Sequence, residues 1–171
     1  MTELTSALSI WPYSLRTILL LARLQVISGE LENAFGTAQK GLSIERLLPN
    51  LLCFKATLLQ LNGRHHEALR VLCECLHTAP EYVEAWTAYA RSACILEKWT
   101  DVEKSAEKLQ RLIPEAPEAP WLFANLSLNY QDYSGAKKQL TRALQLDPQH
   151  RPSLRLLKKV TRLANPSTVA V

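Results

Sequence analysis

Proline recurs on a 34-residue ruler in this chain. Pro80, Pro114 and Pro148 stand one interval apart, and Pro12 lies two intervals before Pro80, with Arg46 on the mark between them. A fixed period of this length marks an array of stacked supersecondary units. Each is too small to bury its own apolar face and shares a continuous core with its neighbours. Such arrays present surfaces to other macromolecules, which makes binding the first functional class to consider.

Counting from the third residue after each mark divides the chain into units 15–48, 49–82, 83–116 and 117–150. Position 8 of the unit is then Ala22, Ala56, Ala90 and Ala124, and position 20 is Ala34, Ala68, Val102 and Ala136. Position 24 is Ala38, Leu72, Ala106 and Leu140, and position 27 is Gly41, Cys75, Leu109 and Ala143. Small side chains at fixed places let two helix backbones approach to about 8–10 Å. Position 17, with Leu31, His65, Trp99 and Tyr133, supplies bulk beside them. Gly29 and Gly63 both fall at position 15, where a turn between two helices needs a left-handed residue. The register prolines come just past the second helix of each unit, where a missing N–H does no harm but continuation is blocked. No stretch alternates apolar and polar residues as a strand would.

This unit resembles the tetratricopeptide repeat (TPR), a 34-residue helix–turn–helix with a large residue at position 4, small residues at 8, 20 and 27, and proline at 32. The third unit carries the pattern most fully, with Trp86, Ala90, Ala106 and Pro114. Departures are Arg46 in place of a proline, the large Leu109 at position 27, and Pro120 at position 4 with Trp121 one place late. The resemblance implies an all-α fold: a right-handed α-solenoid of antiparallel helix pairs, four TPR units followed by a C-terminal capping helix.

The ends differ. Residues 151–164 read as the capping helix, with Leu154, Leu157, Thr161 and Ala164 predicted to face the last repeat and Arg151, Arg155, Lys158 and Arg162 to face water. Asn165 and Pro166 should stop it, leaving 165–171 as a frayed tail. Residues 1–14 have two open readings. Leu4, Ala7, Leu8 and Ile10 fall at positions 24, 27, 28 and 30 of the register, as in the second half of a repeat belonging to a longer or shortened array. Alternatively they form a short N-terminal cap. The first reading implies self-association, or a larger array, through that end.

Composition bounds the chemistry. At 171 residues, 47% hydrophobic and 21% charged, the chain can bury a core. The acidic and polar first residues do not read as a secretory signal, and the most apolar run, Ile18 to Ile27, is broken by Arg23 and too short to span a bilayer. An intracellular, cytoplasmic protein is expected, with an organelle surface also compatible. Cys53, Cys73, Cys75 and Cys94 lack disulfide-framework spacing and read as reduced thiols. Cys73 and His77 have the spacing of two zinc ligands on one helix face but lack a second pair, and His65, beside His66, reads as packing. No phosphate loop, nucleophile elbow or carboxylate pair is present. We expect no enzyme, no cofactor and no metal.

The resemblance places the partner surface on the first helices of each unit, in a concave groove. Position 5 there is Leu19, Cys53, Thr87 and Trp121, and position 9 is Arg23, Thr57, Arg91 and Asn125. Positions 12 and 13 add Val26, Gln60, Cys94 and Leu128, and Ile27, Leu61, Ile95 and Asn129. An apolar floor with arginines along it suits a peptide or helix with apolar anchors and some acidic character. The carboxylate clamp of chaperone-tail binders is not reproduced: its places hold Leu19, Arg23, Phe54, Glu84 and Ala88 or, one repeat on, Cys53, Thr57, Ala88, Glu118 and Leu122.

Charge is uneven. Residues 137–162 carry eight cations against Asp147 alone, whereas the preceding part of the chain has a net charge of −3. Arg151, Arg155, Lys158, Lys159 and Arg162 are therefore a candidate contact for an acidic partner. Nucleic acid is disfavoured because no aromatic side chains interleave to stack bases, and a membrane only peripherally fits. The expected function is a non-catalytic interaction scaffold or adaptor subunit. Two alternatives are a small dedicated chaperone shielding an apolar client segment and a regulatory TPR fragment of a larger protein.

Overall fold

The computed structural model describes Ser6, Ile10 and residues 14–164. Nine α-helices make up the regular structure of 14–164: α1 (Leu15–Ile27), α2 (Leu31–Ile44), α3 (Pro49–Leu61), α4 (His65–Thr78), α5 (Val83–Ile95), α6 (Trp99–Leu112), α7 (Glu118–Asn129), α8 (Tyr133–Leu146) and α9 (Arg151–Ala164). Within each compact unit neighbouring helices pack pairwise, α1 on α2, α3 on α4, α7 on α8 and α8 on α9, and no strand occurs among the described residues. Ser6 and Ile10 are helical and exposed; Leu4, Ala7, Leu8 and the segment 165–171 lie outside the described residues.

Four short turns close helix pairs in one way. Gly29, Gly63, Glu97 and Gln131, all at position 15, take positive φ values of 81°, 72°, 55° and 61°. The next residue in each case donates its N–H five residues back: Glu30 to Gln25, Arg64 to Leu59, Lys98 to Ala93 and Asp132 to Ser127, at 2.8–2.9 Å. This is the six-to-one bond of a Schellman C-cap, which satisfies a carbonyl that the helix end leaves open. The geometry belongs to the turn, and glycine only makes it inexpensive. Proline ends the second helices as expected: Pro80, Pro114 and Pro148 each stand two residues beyond α4, α6 and α8, while the exposed Arg46 takes that place after α2. Pro120 is the third residue of α7, inside the first turn, where its absent N–H breaks no helical bond.

The chain divides into two compact units, residues 1–92 and 93–171, with the boundary inside α5. In the first unit α1 pairs with α2 and α3 with α4, and α2 lies against α3. Leu51, Leu52, Cys53, Ala56 and Leu59 of α3 meet Ala68, Leu72 and Cys75 of α4 and Ala85 and Ala88 of α5 in one buried cluster. A polar clip crosses it. Gln60 Nε2 donates to the Ala88 carbonyl at 2.6 Å and to Ser92 Oγ at 2.8 Å, and His65 Nδ1 lies 3.4 Å from the same hydroxyl. His65 is thus half-buried packing with a polar partner. In the second unit α6 packs on α7, α7 on α8, and α9 on both α7 and α8.

All sixteen residues at positions 8, 20, 24 and 27 are buried. Gly41 shows why one of them has no side chain: a Cβ there would stand 2.6 Å from Leu51 Cδ1 and 3.1 Å from Ile18 Cγ2. One face differs from expectation. The side of α9 turned inward is Ser153 and Val160, both buried, with Leu156 and Leu157 half-buried; of the expected Leu154, Leu157, Thr161 and Ala164, only Leu157 lies on it. Leu154, Thr161 and Ala164 are exposed. The helix is rotated by about one residue because Val160 meets Ala124, Ala136 and Leu140. Ser153 can be buried at its first turn because its hydroxyl lies 2.7 Å from His150 Nδ1.

Candidate protein-binding groove

In the first unit the expected groove residues come from α1, α3 and α5. Leu19 is half-buried and packs on the cluster that holds Cys53. Cys53 is itself buried, so it forms floor beneath the surface, not a contact reachable in the free chain. Thr57 is exposed, and its Oγ1 donates to the Cys53 carbonyl at 3.0 Å. Thr87 is half-buried, and Arg23 and Arg91 are exposed.

The electrostatics around Cys53 show how these groups converge. Burial pushes its thiol up to about 12, Cys75 and Glu84 push the same way, and Arg23 and Arg91 oppose them. Glu84, Arg23 of α1 and Arg91 of α5 therefore all lie within electrostatic reach of the Cys53 thiol of α3, with burial the larger effect on it. The Tyr82 hydroxyl is likewise pushed up to about 12, by burial first and then by Cys53, Glu84 and Cys75, against Arg23. Cys75 rises to about 11 through burial, its Sγ lying 3.5 Å from the Pro49 carbonyl as a donor. Neither arginine has a salt bridge among the described residues. The arrangement combines a partly buried apolar floor with two exposed cations, Arg23 and Arg91, and an exposed acid, Glu84. It can hold an apolar segment bearing a carboxylate.

Tyr82, the last residue of the second unit, and Glu84, the second residue of the third, both stand outside positions 5 and 9, from which the site residues were drawn. Gln60 was assigned to the groove, but its amide is committed to Ala88 and Ser92. A hint existed: position 10 reads Leu24, Leu58, Ser92 and Leu126, and the lone serine needs a polar partner. Ile27 and Leu61, at the ends of α1 and α3, are 81% and 57% exposed and offer apolar anchors.

In the second unit Trp121 and Asn125 stand on α7. Trp121 is half-buried against the Ala124–Leu140–Val160 cluster, its ring edge-on to His150 with centroids 6.4 Å apart. Asn125 Nδ2 donates to the Trp121 carbonyl at 2.8 Å. Both are engaged within their own unit, Trp121 as packing for α9. Arg151, Arg155, Lys158, Lys159 and Arg162 are all exposed on α9. Among the described residues no group of three or more His, Cys, Asp or Glu side chains is placed to hold a metal. No helix among them is long and apolar enough to cross a membrane.

Solved structures match this arrangement along nearly its whole length. A tetratricopeptide repeat protein from Parabacteroides merdae aligns with a TM-score of 0.83 at 17% identity, over 96% of this chain and 65% of that one. The fold is the tetratricopeptide repeat fold. A thermophilic TPR protein of Thermus thermophilus aligns with a TM-score of 0.72 at 20% identity, over 95% of this chain and 88% of that one. A chain of the APC/C hetero-tetramer Cut9–Hcn1 aligns with a TM-score of 0.80 at 14% identity, over 93% of this chain and 32% of that one. By sequence, neither a family model nor a curated protein matches. The TPR fold is in general a protein-interaction module, and at these identities the likeness carries the fold alone.

Proposed function

We propose that this chain is a non-catalytic TPR scaffold or adaptor subunit, built of repeats 15–48, 49–82, 83–116 and 117–150, that holds a peptide or helix of a protein partner. The contact is made in its first unit by Leu19, Arg23, Thr57, Thr87 and Arg91 above the Cys53 floor. One observation carries the reading: Arg23 of α1 and Arg91 of α5 are exposed at the same place in their repeats, on helices whose partly buried residues share the cluster that holds Cys53 of α3, and neither has a salt bridge among the described residues. A guanidinium fork matches a carboxylate in two parallel hydrogen bonds, so a partner with apolar anchors and acidic character suits it. The assembly of the similar Cut9–Hcn1 chain in a hetero-tetramer supports a role within a complex.

Thiol chemistry favours binding over catalysis. Cys53, Cys75 and Cys94 are pushed up to about 12, 11 and 12 by burial, which keeps them protonated and poorly nucleophilic near neutral pH. All four cysteines are free, which suits a reducing, intracellular setting. A chaperone reading is favoured by a separate feature. Leu20, Leu24 and Ile27 leave an apolar stripe exposed along α1, a surface suited to shielding an apolar client segment.

The test is isolation of native complexes with Arg23→Glu/Arg91→Glu beside the unaltered chain. The reversal should remove the partner with the helical circular dichroism unchanged, a loss of about 2–5 kcal/mol where the arginines meet a buried charge. Retention of every partner by the variant would reject the groove.

A further inference from the structure

We propose that the outer face of α9 is a second docking surface, for an acidic helix of a protein partner. It lies outside the groove described above and stands independently of it. Arg151, Arg155, Lys158, Lys159 and Arg162 are all exposed, while Ser153 and Val160 are buried on the opposite side of the helix. At 100° per residue the five cations fall within an arc of about 100° centred opposite the buried face. Arg151, Arg155, Lys158 and Arg162 follow each other at steps of four, three and four residues. That spacing sets them in one narrow row of about 16 Å, the geometry by which one helix presents a seam to another.

Solvation of an outer helix does not require this pattern. The exposed helix α6 mixes Asp101, Glu103 and Glu107 with Lys104, Lys108 and Arg111, so that opposite charges lie close along it. Neither α8 nor α9 contains an acid, and no salt bridge reaches the α9 cations among the described residues. Like charges four apart, as in Arg151–Arg155, Arg155–Lys159 and Lys158–Arg162, repel and weaken a helix. An anionic partner relieves that repulsion.

The observations favour a protein helix over the other polyanions. Peripheral membrane helices insert an apolar face, and that face of α9 is occupied by Ala124, Ala136 and Leu140. Helix α9 holds no aromatic residue for base stacking, and its packing on α7 and α8 prevents it from entering a nucleic-acid groove as a free helix. A narrow row of cations matches a narrow row of carboxylates.

The experiment titrates the full chain against two helix-stabilised peptides of equal composition. One carries glutamates at steps of four, three and four; the other has them scattered around the helix. Phosphatidylserine vesicles and duplex DNA are run alongside. The aligned peptide should bind at least tenfold more tightly than the scattered one and weaken as salt is raised. Arg155→Gln/Arg162→Gln should lose at least tenfold with its helical signal intact, and Arg23→Glu/Arg91→Glu should bind as the unaltered chain does. Equal affinity for the two peptides, tighter binding to vesicles or DNA, no binding at all, or unchanged binding by the α9 variant would overturn the proposal.

Discussion

The turn at position 15 lets one substitution give opposite signs at two sites. Gly29 and Gly63 adopt φ of 81° and 72°, and a Cβ built on either meets nothing within 4 Å. Replacement by alanine therefore causes no collision, and only backbone strain remains. A left-handed residue with a Cβ costs about 1–2 kcal/mol. Loss of glycine's freedom in the unfolded chain returns about 0.4–1 kcal/mol. Gly29→Ala and Gly63→Ala should each destabilise by about 1 kcal/mol. Gly36 is the control, since it lies inside α2 without positive φ and also has nothing within 4 Å of a built Cβ. There alanine should stabilise by about 0.5–1 kcal/mol. The reverse change, Glu97→Gly or Gln131→Gly, relieves the same strain at φ of 55° and 61° and should be neutral to stabilising by about 1 kcal/mol. Urea unfolding followed by circular dichroism reads all five variants. If alanine at 29 and 63 stabilises as it does at 36, the left-handed turn is not what closes these helix pairs.

Two further outcomes follow from the packing. Val160→Ala should cost ~2 kcal/mol for two buried methylenes, whereas Leu154→Ala, at an exposed site, should stay within about 0.5 kcal/mol; thermal unfolding distinguishes this face of α9 from the one read in the sequence. Folded protein at pH 8 should release one fast thiol to a chromogenic disulfide reagent, the exposed Cys73, with the others reacting only on unfolding. The raised thiols also set a pH window. Their folded values of about 11–12 exceed the ordinary 9.0, so the unfolded chain loses protons first and stability should fall as pH rises from about 9 towards 12. A flat urea midpoint across that range would contradict the burial of Cys53, Cys75 and Cys94.

The repeat was readable because close packing of helix pairs restricts the same few positions in every unit. Alanine four times at position 8 is a volume constraint, and volume is encoded residue by residue. Helix ends were readable for a similar local reason, as glycine and proline act on their own backbone. Glu97 and Gln131 were not, because a turn imposed by the packing of two helices can force positive φ on a residue with no preference for it. The face of α9 was misread by one residue: its sequence offers leucines on adjacent faces, and the surface it meets, Ala124, Ala136 and Leu140, makes the choice.

The candidate groove divides along the same line. Sequence alone determined the 34-residue register, the all-helical class, and the separation of charge towards residues 137–162. Tertiary structure alone decided that Cys53 is buried and not surface, that Gln60 is committed to Ala88 and Ser92, and that Arg23 and Arg91 come within electrostatic reach of the same thiol. Periodicity records which side of its own helix a residue occupies. Which side chains from three helices, well separated in sequence, come together there depends on interhelical packing, and no single helix carries that information.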